Sequence, residues 1–251
     1  MIWLEGNLNY LYKVMRYFPK CFLILVLLSS CVGPYMLQHT LKEYKMPLSY
    51  IFDSKIDTLK SGKKVYLKVI DELKMSDTTR VKDDGSLVVP LGIAGGYKCD
   101  FTVTLGKNSV EPSFLEFVTS SLQTEASRSG NFEIKKRAFR ADYILEMTLV
   151  NCQISAEYHK DRIRYGLHTK ENWALKPILG KTTIAVKLLE NKTVVFDSTY
   201  SSSISSQLEV QHFSSESSMN LKMMEDFART ASFEIKEILE TAIRDVNEQI
   251  E

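Results

Sequence analysis

The sequence predicts an α+β domain: a mixed or antiparallel sheet, one mid-chain helix, and a long C-terminal amphipathic helix packed on one face. Three observations carry this. Residues 97–105, "YKCDFTVTL", alternate apolar and polar side chains with period two. Residues 181–203 read as a β-hairpin. Residues 216–249 set Met224, Phe227, Ala228, Ala231, Ile235, Ile238, Leu239, Ala242 and Val246 at helical spacing. The predicted order is strand, strand, helix, strand, long strand, hairpin, helix, which suits helices covering one sheet face.

The body begins at residues 63–71, "KKVYLKVID", where Val65, Leu67 and Val69 alternate with Tyr66, Lys68 and Ile70. Residues 72–86 are polar and end in Asp84-Gly85, a turn signal. Residues 87–96, "LVVPLGIAGG", read as a crossing or a bulged strand. They lack the glycine order of a phosphate loop. In 97–105, Tyr97, Cys99, Phe101, Val103 and Leu105 share one face.

A helix follows, with Pro112 in its first turn and a core stripe of Phe114, Phe117, Val118, Ser121 and Leu122. Gly130 suits the position just past its end. A short strand lies near 131–136. Residues 141–157 form a long strand in which Tyr143, Leu145, Met147 and Leu149 share a face. Val150, Cys152 and Ile154 then take up the opposite phase, which predicts a bulge or a strand buried on both faces. Residues 158–180 read as a polar loop.

In the hairpin, Ile184, Val186 and Leu188 alternate, Glu190-Asn191-Lys192 turn, and Val194, Phe196 and Ser198 return. Ten serines between 198 and 218 suggest a solvated edge strand running into a loop.

The amino terminus carries an address. Cys21–Ser30 is an apolar run of ten residues, too short for a bilayer span of roughly 20 residues. Arg16 and Lys20 precede it, as in a signal peptide. Met15 just upstream is a candidate true start. The run closes on Leu28-Ser29-Ser30-Cys31, which resembles the bacterial lipobox. That resemblance implies cleavage before Cys31, a diacylglycerol thioether on its sulfur, and acylation of the new amino group. Acyl burial contributes about 0.8 kcal/mol per CH₂, and stable anchoring takes two chains or more. The alternative is an ordinary signal peptide cut near Ser30. The expected layout is 1–30 signal peptide, 31–60 lipidated Cys31 and tether with a lead-in strand, and 61–251 one periplasmic domain. Val32 after the cysteine favours the outer membrane.

Net charge is +1 over 251 residues, and Lys13, Arg16, Lys20 and Glu5 leave the remainder nearly balanced. Nucleic-acid binding is not expected without a basic stripe. His39, His159, His168 and His212 have no metal-ligand spacing. Asp83-Asp84 reads as a solvated turn. Cys99 and Cys152 read as buried small hydrophobes or, in an oxidising compartment, as a disulfide. No catalytic residue, cofactor or metal is expected, and the chain reads as non-enzymatic.

Arg128-Ser129-Gly130, Phe132, Ala141-Asp142-Tyr143, Leu145 and the 184–198 hairpin, in this element order, resemble a broad group. It includes the auxiliary lipoproteins of ABC-type lipid transporters. The amino-terminal domain of the Tol–Pal propeller protein and the outer-membrane lipopolysaccharide-assembly lipoprotein are similar. The resemblance covers about residues 63–248 and implies a periplasm-facing accessory protein of an envelope transport or assembly machine. Its partners would be the bilayer, through acylated Cys31, and an envelope protein. The other reading is a carrier or sensor of a small apolar or lipid ligand held between sheet and helix.

Overall fold

A single strand, Tyr143–Tyr165 (β7), organises the structure. The computed structural model describes residues 46–51, 60–73, 78–88, 94–106, 110–165, 168–206 and 209–250. Around β7 stand Lys64–Asp71 (β2), Thr78–Val88 (β3), Ala94–Thr104 (β4), Glu133–Lys135 (β6), His168–Leu175 (β8), Leu179–Glu190 (β9), Thr193–Ser205 (β10) and Gln211–Phe213 (β11). Together these nine described strands form one mixed sheet. The helices are Phe114–Ser129 (α1) and Glu216–Ile250 (α2). The predicted α+β architecture is therefore the observed one.

The first half of β7 pairs in parallel with β2 and antiparallel with β9. Its second half pairs antiparallel with β4 and β8. The register shifts between Leu149 and Asn151, at the predicted change of phase. Leu145, Met147 and Leu149 are buried before it, and Cys152, Ile154, Ala156 and Tyr158 after it. One extra residue thus lets both halves present side chains to the same core.

Two expectations need correction here. Residues 158–180 are not a loop, because β7 runs to Tyr165 and β8 returns from His168. Tyr158 and Trp173 are buried, and Lys160 lays its ammonium 4.2 Å from the Trp173 ring centroid. Charge on this ladder hides a two-residue period. Likewise Asp84-Gly85 is not a chain reversal: it lies in β3, where the register slips between Asp83 and Ser86.

α1 starts on a capping box. The Ser113 hydroxyl accepts from the Glu116 N–H, and the Glu116 carboxylate accepts from the Ser113 N–H. Pro112 thus lies before the cap rather than in the first turn. The predicted stripe of Phe114, Phe117, Val118, Ser121 and Leu122 is buried. Gly130 caps the end of α1, as expected, with extended backbone, φ −69°. Space explains this glycine. A Cβ would stand 2.5 Å from the Ala126 carbonyl and 3.0 Å from the Phe132 ring.

The chain joins the fold earlier than 61. Met46–Pro47 (β1) pairs in parallel with Val110–Glu111 (β5), and Met46 is fully buried. The Leu48 N–H donates to the Glu111 carbonyl. Residues 46–51 are thus part of the body rather than tether.

At 1.5 Å per residue α2 is about 52 Å long. It lies across β10, β9, β7, β8 and β11. Phe227, Ala231, Ile235, Ile238, Leu239, Ala242 and Val246 are buried as expected. Met224 and Ala228 are only half-buried, and Met219, Met223, Asp226, Thr230 and Glu234 take the covered side. Among the described residues no helix is long and apolar enough to cross a membrane.

Candidate functional site

The polar chemistry of the body concentrates in two seams that α2 makes with its neighbours. The first lies between α2 and the β9–β10 hairpin. Residues of even number in β9 face inward, so Gly180 and Thr182 sit under the helix. The Thr182 hydroxyl donates to Glu234 Oε2 at 2.6 Å and also lies 3.5 Å from Cys152 Sγ. Burial pushes the Glu234 carboxyl up to about 7, against opposing hydrogen bonds from Thr182 and the Ile204 backbone. Farther along, Ser202 Oγ donates to Glu237 Oε2 at 2.6 Å and Tyr200 Oη to Asp245 Oδ2 at 2.7 Å. Strand hydroxyls thus meet three carboxylates along this side of the helix. Part of the serine-rich edge strand is therefore helix-facing rather than solvated.

The second seam joins α1, α2 and the segment before β2. Glu125 and Arg128, one turn apart on α1, are both buried. Arg128 grips both Glu125 oxygens, at 3.0 and 2.7 Å, and reaches Glu240 of α2 at 3.0 Å. Ser129 and Tyr50 donate to the same Glu125 carboxylate at 2.6 and 2.8 Å. Burial alone would raise the Glu125 pKa, but the hydrogen bonds from Arg128, Ser129 and Tyr50 hold it below the usual carboxylate range. The Tyr50 hydroxyl is pushed well above its ordinary pKa, first by burial and then by Glu125. Every charge here is engaged, which makes the network a clasp between layers.

Beside the first seam runs a shallow groove of about 460 Å³, bordered by Ile204, Phe233, Lys236, Glu240 and Arg244. It adjoins β10, whose outer edge carries no strand partner among the described residues. A bulge at Val195 interrupts that edge.

Cys31, Met15, Val32 and the apolar run lie outside the described residues, as does His39. Cys99 and Cys152 are both buried and are not bridged to each other, which corrects the possible disulfide. Cys99 pairs with Lys160 of β7, eight residues along the strand from Cys152. That separation is about 26 Å, against a disulfide reach of about 7 Å. Burial also pushes the Cys152 thiol up to about 12, so it is a neutral thiol rather than a nucleophile. His159 stands between Asp100 at 2.7 Å and Asp161 at 3.0 Å on the outer face. Burial opposes its protonation, but the two carboxylates raise its pKa. His159 and His212 flank Ala174 from the strands on either side of it, while Cys99 and Cys152 are buried in the core. Among the described residues no group of three or more His, Cys, Asp or Glu side chains is placed to hold a metal.

The reading from sequence missed Glu234, Thr182, Glu125 and Glu240. Two signals were available: a carboxylate on the apolar stripe of α2, and a Glu–Arg pair extending the stripe of α1.

No protein-family model matches the chain, and no curated protein matches it. The crystal structure of a Xanthomonas campestris protein of family DUF330 superposes with a TM-score of 0.43 and 12% identity, covering 81% of this chain and 97% of that one. At that score the likeness carries no functional argument.

Proposed function

We propose that the chain is a lipid-anchored, periplasm-facing lipoprotein of the bacterial envelope, acting as a non-enzymatic accessory subunit of a transport or assembly machine. The observation that carries this reading is the basic flank, the apolar run 21–30 and its abrupt close on Leu28-Ser29-Ser30-Cys31. A ten-residue run is an export signal rather than a span. A cysteine in that place suits acyl attachment, and two or more chains suffice for stable anchoring. Outer-membrane residence, favoured by Val32, belongs to the same proposal.

The body supports an adaptor by the use it makes of its polar groups. Glu234, Glu125, Arg128 and Glu240 bind layers together. The groove beside β10, with Phe233 and Ile204 at its border, offers a partner a contact next to an open strand edge.

The carrier reading places an apolar ligand between sheet and helix. That layer is filled by Met147, Leu188, Phe227 and Ile235, all fully buried, which weighs against it.

The test is photo-crosslinking in intact membranes, with the crosslinker in place of Phe233. The expected result is a discrete adduct with one envelope protein. A ladder no different from that of a crosslinker in place of the exposed Lys181, on the opposite sheet face, would contradict the adaptor reading.

A further inference from the structure

The end of the sheet where β2 and β7 begin carries a feature that neither seam nor groove uses. Between β6 and β7 the chain makes a short 3-10 turn, Ala138–Arg140. All of residues 136–140, "KRAFR", are exposed, and Phe139 is 74% exposed, the most of any large apolar residue described. A lone exposed apolar residue needs no explanation. Phe139 is not alone. Arg137 and Arg140 hold their guanidinium carbons 5.9 and 5.5 Å from its ring centroid, so ring and charges project together.

The register gathers more around it. Val65 of β2 and Glu190 of β9 both pair with Tyr143, the first residue of β7. Lys63, Lys64 and the tight turn at Asn191-Lys192 therefore stand at the same sheet end as Phe139. Just past that turn Val194 and Val195 are 48% and 42% exposed. Three carboxylates share this end, Glu133 paired with Lys135, Asp142 accepting from the Lys64 N–H and Glu190 held by Tyr143, and the cations outnumber them. The outcome is an exposed ring flanked by two guanidinium groups at a sheet end with an excess of cations, on a chain of net charge only +1.

We propose that this tip docks on an anionic phospholipid surface. Phe139 enters the boundary between headgroups and acyl chains, and Arg137, Arg140 and Lys136 reach the phosphates around it. Charge complementarity chooses an anionic surface. Shape chooses a lipid one. A stable protein interface takes about 800 Å² and 20–30 residues from each partner, whereas a single convex turn offers only a few side chains. A fluid surface moulds itself to such a point. The proposal stands on the folded body and does not depend on acylation of Cys31.

The experiment uses the full chain carrying Cys31→Ser, so that acyl chains do not mask the tip. Binding is measured by co-sedimentation with vesicles of phosphatidylglycerol and phosphatidylcholine in equal parts, and with phosphatidylcholine alone. The segment before Cys31 is common to every variant, so the differences between variants belong to the tip. Preference for the anionic vesicles is expected, falling steeply with salt. Phe139→Ser should weaken binding to them about tenfold, and Arg137→Gln and Arg140→Gln about fivefold each. These side chains are exposed, and unchanged thermal unfolding will show that the variants fold. Equal binding by all variants, or equal binding to both vesicles, overturns the proposal. Capture of an acidic protein that protects the tip, with vesicle binding unaltered by the substitutions, overturns it too.

Discussion

Thr182 Oγ1 donates a 2.6 Å hydrogen bond to Oε2 of Glu234, tying β9 to α2 across a face from which water is excluded. Burial outweighs the opposing pull of that hydrogen bond, so the carboxyl holds its proton to about pH 7 in the folded chain and releases it near 4.5 when unfolded. A raised acid favours folding most below the unfolded pKa. Its contribution is lost as pH rises through the folded one. Between about pH 4.5 and 7 the wild type should lose about 3 kcal/mol through this group. Glu234→Gln should flatten that slope and leave the chain no less stable at pH 8. Urea midpoints measured against pH decide it, and a slope unchanged in the variant would contradict the assignment.

The clasp between the helices makes a different prediction. Arg128→Ala leaves the fully buried Glu125 carboxylate without its main partner, and should cost about 3–5 kcal/mol. The double variant Glu125→Gln, Arg128→Met removes both charges and should recover part of that loss. Urea unfolding of both variants at neutral pH supplies the comparison. Additive losses would show that the two side chains do not act together.

Gly180 is fixed by the approach of α2 to β9. A Cβ there would lie 2.6 Å from Thr230 Cγ2 and 2.8 Å from the Glu234 carboxyl. Gly180→Ala should destabilise by about 1–3 kcal/mol. Thr230→Ser, which deletes the clashing methyl, should return part of it, as read from thermal midpoints.

The hairpin turn invites a stabilising change. Asn191 and Lys192 sit at φ 46° and 69°, the pair of positive values that a two-residue hairpin turn demands. Asparagine tolerates this region, and lysine does so less readily. Lys192→Gly should raise stability by about 0.5–1 kcal/mol, the left-handed penalty of roughly 1–2 kcal/mol less the extra backbone entropy that glycine loses. An unchanged or lowered urea midpoint would show that the turn stores no such strain.

The sheet was legible where one face is apolar and the other polar. Cys99, Phe101, Val103 and Leu105 show it, and so does the change of phase at Val150, which marks the bulge. The stretch 158–180 was not, because Lys160, Arg162 and Glu171 decorate the ladder with charge and a lysine stem roofs Trp173. The helix stripes were legible to within a residue. Their polar members were not. Glu234 stands on the apolar stripe, but its partner Thr182, fifty-two positions away, meets it only in the fold. Arg128 and Glu240 are likewise 112 positions apart and meet only in the fold. Residues 46–51 are too few to display a period, so their place beside β5 and α1 could not be read.

The measurement that bears most directly on the central claim is palmitate labelling with membrane fractionation, comparing the wild type with Cys31→Ala. An acylated anchor predicts label and membrane retention in the wild type and loss of both in the variant. Wild type that takes no label, with a variant that stays in the membrane fraction, would contradict the anchor and with it the lipoprotein reading.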